Sequence, residues 1–103
     1  MEVLTHPGDG VTISQALANH IRSKLAGCQR RFADRVTRVE VHLKDVNAHK
    51  GGVDKICAME AHPAGLDVVR VDSQAEDAYK ASHGAAEKLE RALERRFAKA
   101  GRG

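Results

Sequence analysis

Two rhythms of apolar residues divide the chain. Leu17, Ile21, Leu25, Cys28 and Phe32 recur at three- and four-residue spacing, which predicts an amphipathic helix with one buried stripe. Ser82, Ala85, Ala86, Leu89, Leu93, Phe97 and Ala100 repeat that spacing within the long polar run from Ala75 to Ala100 and predict a second helix. Between them the period drops to two. From Val36 to Lys44, Thr37, Val39, Val41 and Leu43 fall on one side and Arg38, Glu40, His42 and Lys44 on the other, a strand with one buried face. Val53 to His62 reads as another strand, with Cys57, Met59 and Ala61 inward and Ile56, Ala58, Glu60 and His62 outward. Asp67 to Asp72 makes a further strand, Val69 and Val71 inward, and the β-prone Glu2 to His6 a short first one.

Breaks between these elements are well marked. Pro7-Gly8-Asp9-Gly10 stops the first strand, Gly51-Gly52 ends a hairpin-length loop, and Pro63-Ala64-Gly65 turns the chain. Two starts of the first helix stay open, a Thr12–Gln15 capping box or a Ser14 cap. Glu76 and Asp77 precede the last helix at its positive end. Gly27 and Gly84 interrupt the two helical runs; Gly27 weakens its helix by about 1 kcal/mol relative to Ala, and Gly84 is expected to loosen its turn. The order is β-α-β-β-β-α. A sheet with one apolar face and two amphipathic helices predicts a two-layer α+β fold, a four-stranded sheet with two helices packed on one face, residues 1–103 forming a single domain.

Composition changes this picture little, but charge distribution does. Hydrophobic residues at 42% and charged ones at 30% exclude wholesale disorder. Phe32, Tyr79 and Phe97 are the whole aromatic set, which argues against a single-strand binder that stacks bases. The net charge of +3 is modest. Its segregation is not: Arg22, Lys24, Arg30, Arg31, Arg35 and Arg38 face one acid, Asp34, between His20 and Arg38. Between Val53 and Asp77 acids dominate, and from Lys88 onward the chain is basic again. Such blocks suit a polyanion, nucleic acid before anionic lipid. No apolar run approaches the roughly 20 residues of a membrane span, and no signal peptide is evident at the N-terminus. The expectation is a cytoplasmic protein with reduced thiols and no membrane partner.

At about 100° per residue, Lys80, Lys88, Arg91, Arg95 and Lys99 form a ridge beside the buried face of the last helix, with Glu87, Glu90 and Glu94 on the opposite flank. His20, Lys24 and Arg31 make a matching stripe on the first helix. A solvated face explains the ridge alone, because a Glu87–Arg91 pair is worth about 0.3–0.5 kcal/mol and cations suit a helix C-terminus. Two stripes on neighbouring helices favour RNA. The candidate RNA-binding set is therefore His20, Lys24, Arg31, Lys80, Lys88, Arg91, Arg95 and Lys99, with Arg96, at the border of the buried face, a weaker member. Phosphate contacts read shape and backbone rather than sequence, and about five of them imply a log–log salt slope near −4 to −5.

Other chemistry is sparse. Six histidines (His6, His20, His42, His49, His62 and His83) lack His-x-x-x-His or Glu-x-x-His spacing, so no metal and no cofactor are expected, although His42 and His62 meet on the outer sheet face if their strands pair in that register. Cys28 and Cys57 form no Cys-x-x-Cys motif, and alternation puts Cys57 inward and His42 outward, so no nucleophile–base pair and no enzyme is expected. Gly51-Gly52 lacks the phosphate-loop pattern. Tyr79 reads as a helix-packing aromatic with its hydroxyl at the edge. A second functional reading is a protein-interaction module, with weak self-association, that uses Ile56, Ala58, Leu66 and Val68 as an apolar outer sheet face.

Taken in order, Val11-Thr12-Ile13-Ser14-Gln15-Ala16-Leu17, Arg35-Val36-Thr37-Arg38-Val39-Glu40-Val41-His42-Leu43, Asp54-Lys55-Ile56-Cys57, Glu76-Asp77-Ala78-Tyr79-Lys80-Ala81 and Ala85 through Arg96 resemble the ribosome hibernation promoting factor, or sigma-54 modulation protein, family over essentially the whole chain. The resemblance implies a four-stranded sheet backed by two roughly parallel helices, distantly like a double-stranded RNA-binding domain. It also implies a small ribosomal subunit partner, docking where mRNA and tRNA otherwise lie, and silencing of idle ribosomes. The likeness is to the short form, without a C-terminal dimerisation domain. The chain departs from the family where Ser82 and His83 replace a β-branched residue and an acid, followed by a mid-helix Gly84, and its basic content is lower than in strongly basic members.

Overall fold

The computed structural model describes residues 1–46 and 54–101. The expected Gly51-Gly52 loop and Val53 lie outside them. The elements are β1 (Glu2–Pro7), α1 (Gln15–Lys24), α2 (Ala26–Phe32), β2 (Val36–Asp45), β3 (Lys55–Pro63), β4 (Val69–Ala75) and α3 (Ala78–Gly101). The four strands form one sheet in the order β1-β2-β3-β4. β1 runs parallel to β2, which α1 and α2 make possible as the crossover, and the other two pairings are antiparallel. The α+β class read from the sequence is the observed one.

The core is the predicted set. Leu17, Ile21, Leu25, Cys28 and Phe32 from α1 and α2 meet Val39, Val41 and Leu43 of β2, Cys57, Met59 and Ala61 of β3, and Leu89 and Leu93 of α3, all buried. Burying one such large aliphatic side chain stabilises the fold by about 1.5–3 kcal/mol. Small residues finish the face of α3 towards the sheet: Ala81, Ser82, Ala85 and Ala86 are buried. Phe97 is half-buried and stacks on Phe32 with ring centroids 5.4 Å apart, while Arg35 lies 4.2 Å over the Phe97 ring. The last turns of α3 are held to α2 in this way; Ala100, expected on the buried face, is exposed.

Several local expectations resolve differently. The first helical run is two helices, broken at Leu25, whose φ of −87° and ψ of 0° leave the helical basin. Leu25 and Cys28 are both fully buried across that break, so the apolar stripe is continuous although the helix is not. Ser14, not Thr12, is the N-cap: its Oγ accepts the Leu17 amide at 3.1 Å. Thr37 was expected inward. A register shift between Val36 and Arg38 inserts one extra residue, so Val36 is buried and Thr37 faces out, its hydroxyl donating to the His62 carbonyl at 3.0 Å. Gly84 is no loose turn. A Cβ there would lie 3.2 Å from Ser73 Cβ and nearer still to its Oγ, so α3 rests on β4 at a distance that only glycine allows without displacement.

Candidate nucleic-acid interface

Asp77 starts the helix that carries most of the candidate residues, its Oδ1 accepting the Lys80 amide at 2.8 Å. With the apolar face of α3 turned to the sheet, Lys88, Arg91, Arg95 and Lys99 stand exposed along its free side. The span from Lys88 to Lys99 is about 16 Å at 1.5 Å per residue. Backbone carbonyls orient this ridge. Lys88 Nζ donates to the Asp72 carbonyl at 2.8 Å, and Arg91 Nε to the Glu87 carbonyl at 3.4 Å, which replaces the side-chain ion pair expected between those residues. Arg96 Nη1 donates to the Asp67 carbonyl at 2.7 Å. A carbonyl positions a cation but leaves its full charge uncompensated. Among the described residues, none of Lys88, Arg91, Arg95, Arg96 and Lys99 pairs with a carboxylate.

Beside the ridge an open groove of about 590 Å³ is lined by Val69, Arg70, Ala92, Arg95, Arg96, Ala98 and Lys99. Arg96, the weaker member of the candidate set, thus lies beside the ridge, and Arg70 is a cationic neighbour that helical spacing did not select. Arg70 lies on β4, in an acidic stretch of sequence, and only the pairing of α3 with that strand reveals it. Its charge is shared, since Nη1 contacts Glu60 Oε2 at 2.9 Å.

The stripe on the first helical run does not join the ridge. Arg31 Nη1 lies 3.0 Å from Glu90 Oε2 and 3.6 Å from Glu94 Oε2, and the Glu90 hydrogen bond raises the Arg31 pKa. The acidic flank of α3 faces α2, so the charge of Arg31 is balanced there. His20 and Lys24 border a separate hollow of about 320 Å³ with Tyr79, Lys80 and His83. In it His20 Nε2 is 3.1 Å from the Tyr79 carbonyl oxygen, and the two rings meet edge to face at 4.9 Å. Lys80 pairs with Glu76, whose hydrogen bond raises its pKa. Tyr79, read as a helix-packing aromatic, does meet His20 of α1 but is 43% exposed. The eight candidates therefore fall into three groups: a four-residue ridge, a hollow at the start of α3, and Arg31 between two carboxylates.

The catalytic pair excluded from the alternation is absent in space as well: Cys57 is fully buried and His42 lies on the other face. Burial pushes the Cys57 thiol up to about 11, against a lowering hydrogen bond from Ser82, and the Cys28 thiol up to about 11 with Glu90 adding to the effect. Both are inert thiols at neutral pH. The apolar outer sheet face of the interaction-module reading forms only in part, with Ile56 and Ala58 on it. Ala58 is buried, and Leu66 and Val68 lie in the turn before β4. His6, Glu40, His42, Glu60 and His62 share that face with Ile56 and Ala58. His42 sits opposite Ala58 and His62 opposite Arg38, so the two do not face each other across the strands; His42 stacks on His6, centroids 4.7 Å apart.

Fold and charge together define a two-layer α+β domain with a cationic helix edge beside the rim of its sheet. Among solved structures, a ribosomal subunit interface protein from Coxiella burnetii superposes with a TM-score of 0.79 at 24% identity, covering 95% of this chain and 99% of that one. The Protein Y N-terminal domain of Thermus thermophilus gives 0.75 at 23%, covering 92% and 98%. The chain belongs to the sigma 54 modulation protein / S30EA ribosomal protein family, whose pattern matches residues 4–100. No curated protein sequence matches it. No helix among the described residues is long and apolar enough to cross a membrane.

Proposed function

We propose that this chain is a non-enzymatic, cytoplasmic ribosome-silencing factor that docks on small-subunit rRNA through the edge of α3 and occludes the mRNA and tRNA sites by its bulk. Family membership supports the partner. The observation that carries the surface is the row Lys88, Arg91, Arg95 and Lys99, exposed and without carboxylate partners among the described residues, with Arg96 and Arg70 beside it. Arg91 and Arg95 each present a planar fork that grips two phosphate oxygens, whereas Lys88 and Lys99 act as point charges. His20, Lys24 and Lys80 form a secondary contact at the start of the helix. Arg31, balanced by Glu90 and Glu94, contributes little to rRNA binding.

The test is co-sedimentation of the full chain with purified small subunits at rising salt, beside a variant with Lys88, Arg91, Arg95 and Lys99 changed to Glu. Four or five phosphate contacts give the wild type a log–log slope of about −3 to −5, and the variant loses binding at physiological salt. Unchanged binding by the variant overturns the assignment of the ridge. A wild type that sediments equally at low and high salt overturns the electrostatic mode of docking.

A further inference from the structure

The outer face of the sheet, opposite the helices, gathers chemistry that rRNA docking does not use. Parallel pairing of β1 with β2 sets His6 beside His42, and antiparallel pairing of β2 with β3 sets Glu40 directly against Glu60. Like charges facing each other across a strand pair are unfavourable unless cations relieve them. Around them His6 Nε2 lies 3.1 Å from Glu40 Oε1, His62 Nε2 3.0 Å from Glu40 Oε2, and His42 Nε2 3.3 Å from Glu60 Oε1. His62 Nε2 is buried and, despite that proximity, makes no hydrogen bond. Donor atoms of His6, Glu40 and His42 all lie within 4.8 Å of one another, as do those of Glu40, Glu60 and His62.

We propose that this face binds one divalent transition-metal ion, Zn²⁺ by its ligand chemistry, through His6 Nε2, His42 Nε2 and Glu40 Oε1. Two imidazoles and a carboxylate are a borderline-soft donor set that suits Zn²⁺ and disfavours Mg²⁺ or Ca²⁺. Ligands about 2.0–2.2 Å from a tetrahedral ion lie about 3.3–3.6 Å apart, so the 3.1 Å separation of His6 and Glu40 needs only a small opening. Three protein donors converge, so water takes the fourth position, as in open zinc sites. The other oxygen of Glu40 faces His62 and accepts from Arg38 Nε at 3.3 Å, so Arg38 is the positioning residue that fixes the carboxylate. Ala58 is the small neighbour that leaves room, and an open depression of about 490 Å³, bordered by His6, His42, Ala58 and Glu60, gives the ion a path from solvent. Arg38 and Arg70 already balance Glu40 and Glu60, so the ion competes with them and the affinity is micromolar rather than that of a sealed structural site. Bound there, it ties the edge strand β1 to β2 through side chains.

The test uses the full chain stripped of metal and freed of chelator. Calorimetric titration with Zn²⁺ is expected to show one equivalent with a micromolar dissociation constant, and Co²⁺ to give the visible bands of a tetrahedral N,O site. A hundredfold excess of Zn²⁺ over that constant raises the thermal midpoint by at least about 5 °C. His6→Ala and His42→Ala each weaken binding at least about tenfold. A variant lacking His20, His49 and His83 binds as the wild type does, and circular dichroism establishes that every variant is folded. Absence of saturable binding up to about 1 mM Zn²⁺ overturns the proposal. So does unchanged affinity in the His6→Ala/His42→Ala double variant, or loss of binding in the variant lacking His20, His49 and His83.

Discussion

Gly84→Ala isolates the closeness of α3 to β4. In a free helix interior this change stabilises by about 1 kcal/mol, because alanine holds helical dihedrals at a smaller entropy cost. Here the new methyl meets Ser73, whose Cβ is 3.2 Å from where it would sit and whose Oγ is nearer. Rotating the hydroxyl relieves only part of the overlap, since Ser73 Cβ is fixed to the backbone of β4. Overpacking of this kind costs about 1–3 kcal/mol, so the net effect is a destabilisation of up to about 2 kcal/mol. Ser73→Gly removes both atoms in the way. In that background Gly84→Ala becomes stabilising by about 1 kcal/mol, a reversal of sign that a general helix effect cannot produce. Urea denaturation followed by circular dichroism reads it as midpoint shifts in opposite directions at unchanged m-value. If Gly84→Ala stabilises the wild-type background as much as the Ser73→Gly background, the close approach of helix and strand is wrong.

Other expectations follow from burial and charge. Leu89, with no exposed surface, loses about 3–5 kcal/mol on change to alanine, read from the same urea transition. The buried thiols make stability fall at alkaline pH. With thiol pKa values near 9.0 when unfolded and about 11 when folded, the folded state holds the extra protons between those pH values, so stability is fully present below pH 9 and declines as pH rises towards 11. Cys57→Ala removes its share of that decline, which a series of urea transitions from pH 8 to 10.5 detects. Arg31→Ala leaves small-subunit affinity within about twofold of wild type, whereas Arg95→Glu lowers it at least about tenfold; equal losses would mean that Glu90 and Glu94 do not neutralise Arg31.

How far the sequence carried depended on whether the determinant was local. Spacing identified the stripe Leu17, Ile21, Leu25, Cys28 and Phe32, and each member is buried, because solvent sorts side chains by helical period before tertiary detail matters. Alternation likewise found Val39, Val41 and Leu43, but it misjudged Thr37, where one inserted residue shifts the phase without altering composition. The ridge Lys88, Arg91, Arg95 and Lys99 was legible because one helix carries it. Arg70 was not, since its proximity to Arg95 depends on which strand α3 covers. The same reason hid the outer-face cluster. His6, Glu40 and His42 lie on two strands, and a search for ligand spacing within one element passes over donors that only strand register brings together.

The alignment of Glu90 and Glu94 with Arg31 also makes α3 a border between two electrical territories. A helix with its side chains is about 10–12 Å across, while the Debye length at physiological salt is about 8 Å. An anionic surface close enough to feel one edge therefore does not average it with the other. The Lys88–Lys99 side is drawn in more strongly than the side where Arg31 stands among Glu87, Glu90 and Glu94, and that difference biases the rotation of the molecule about the helix axis during approach. Under the proposed docking on rRNA, the molecule is oriented in part before contact forms, and the side away from the ridge faces outward on arrival.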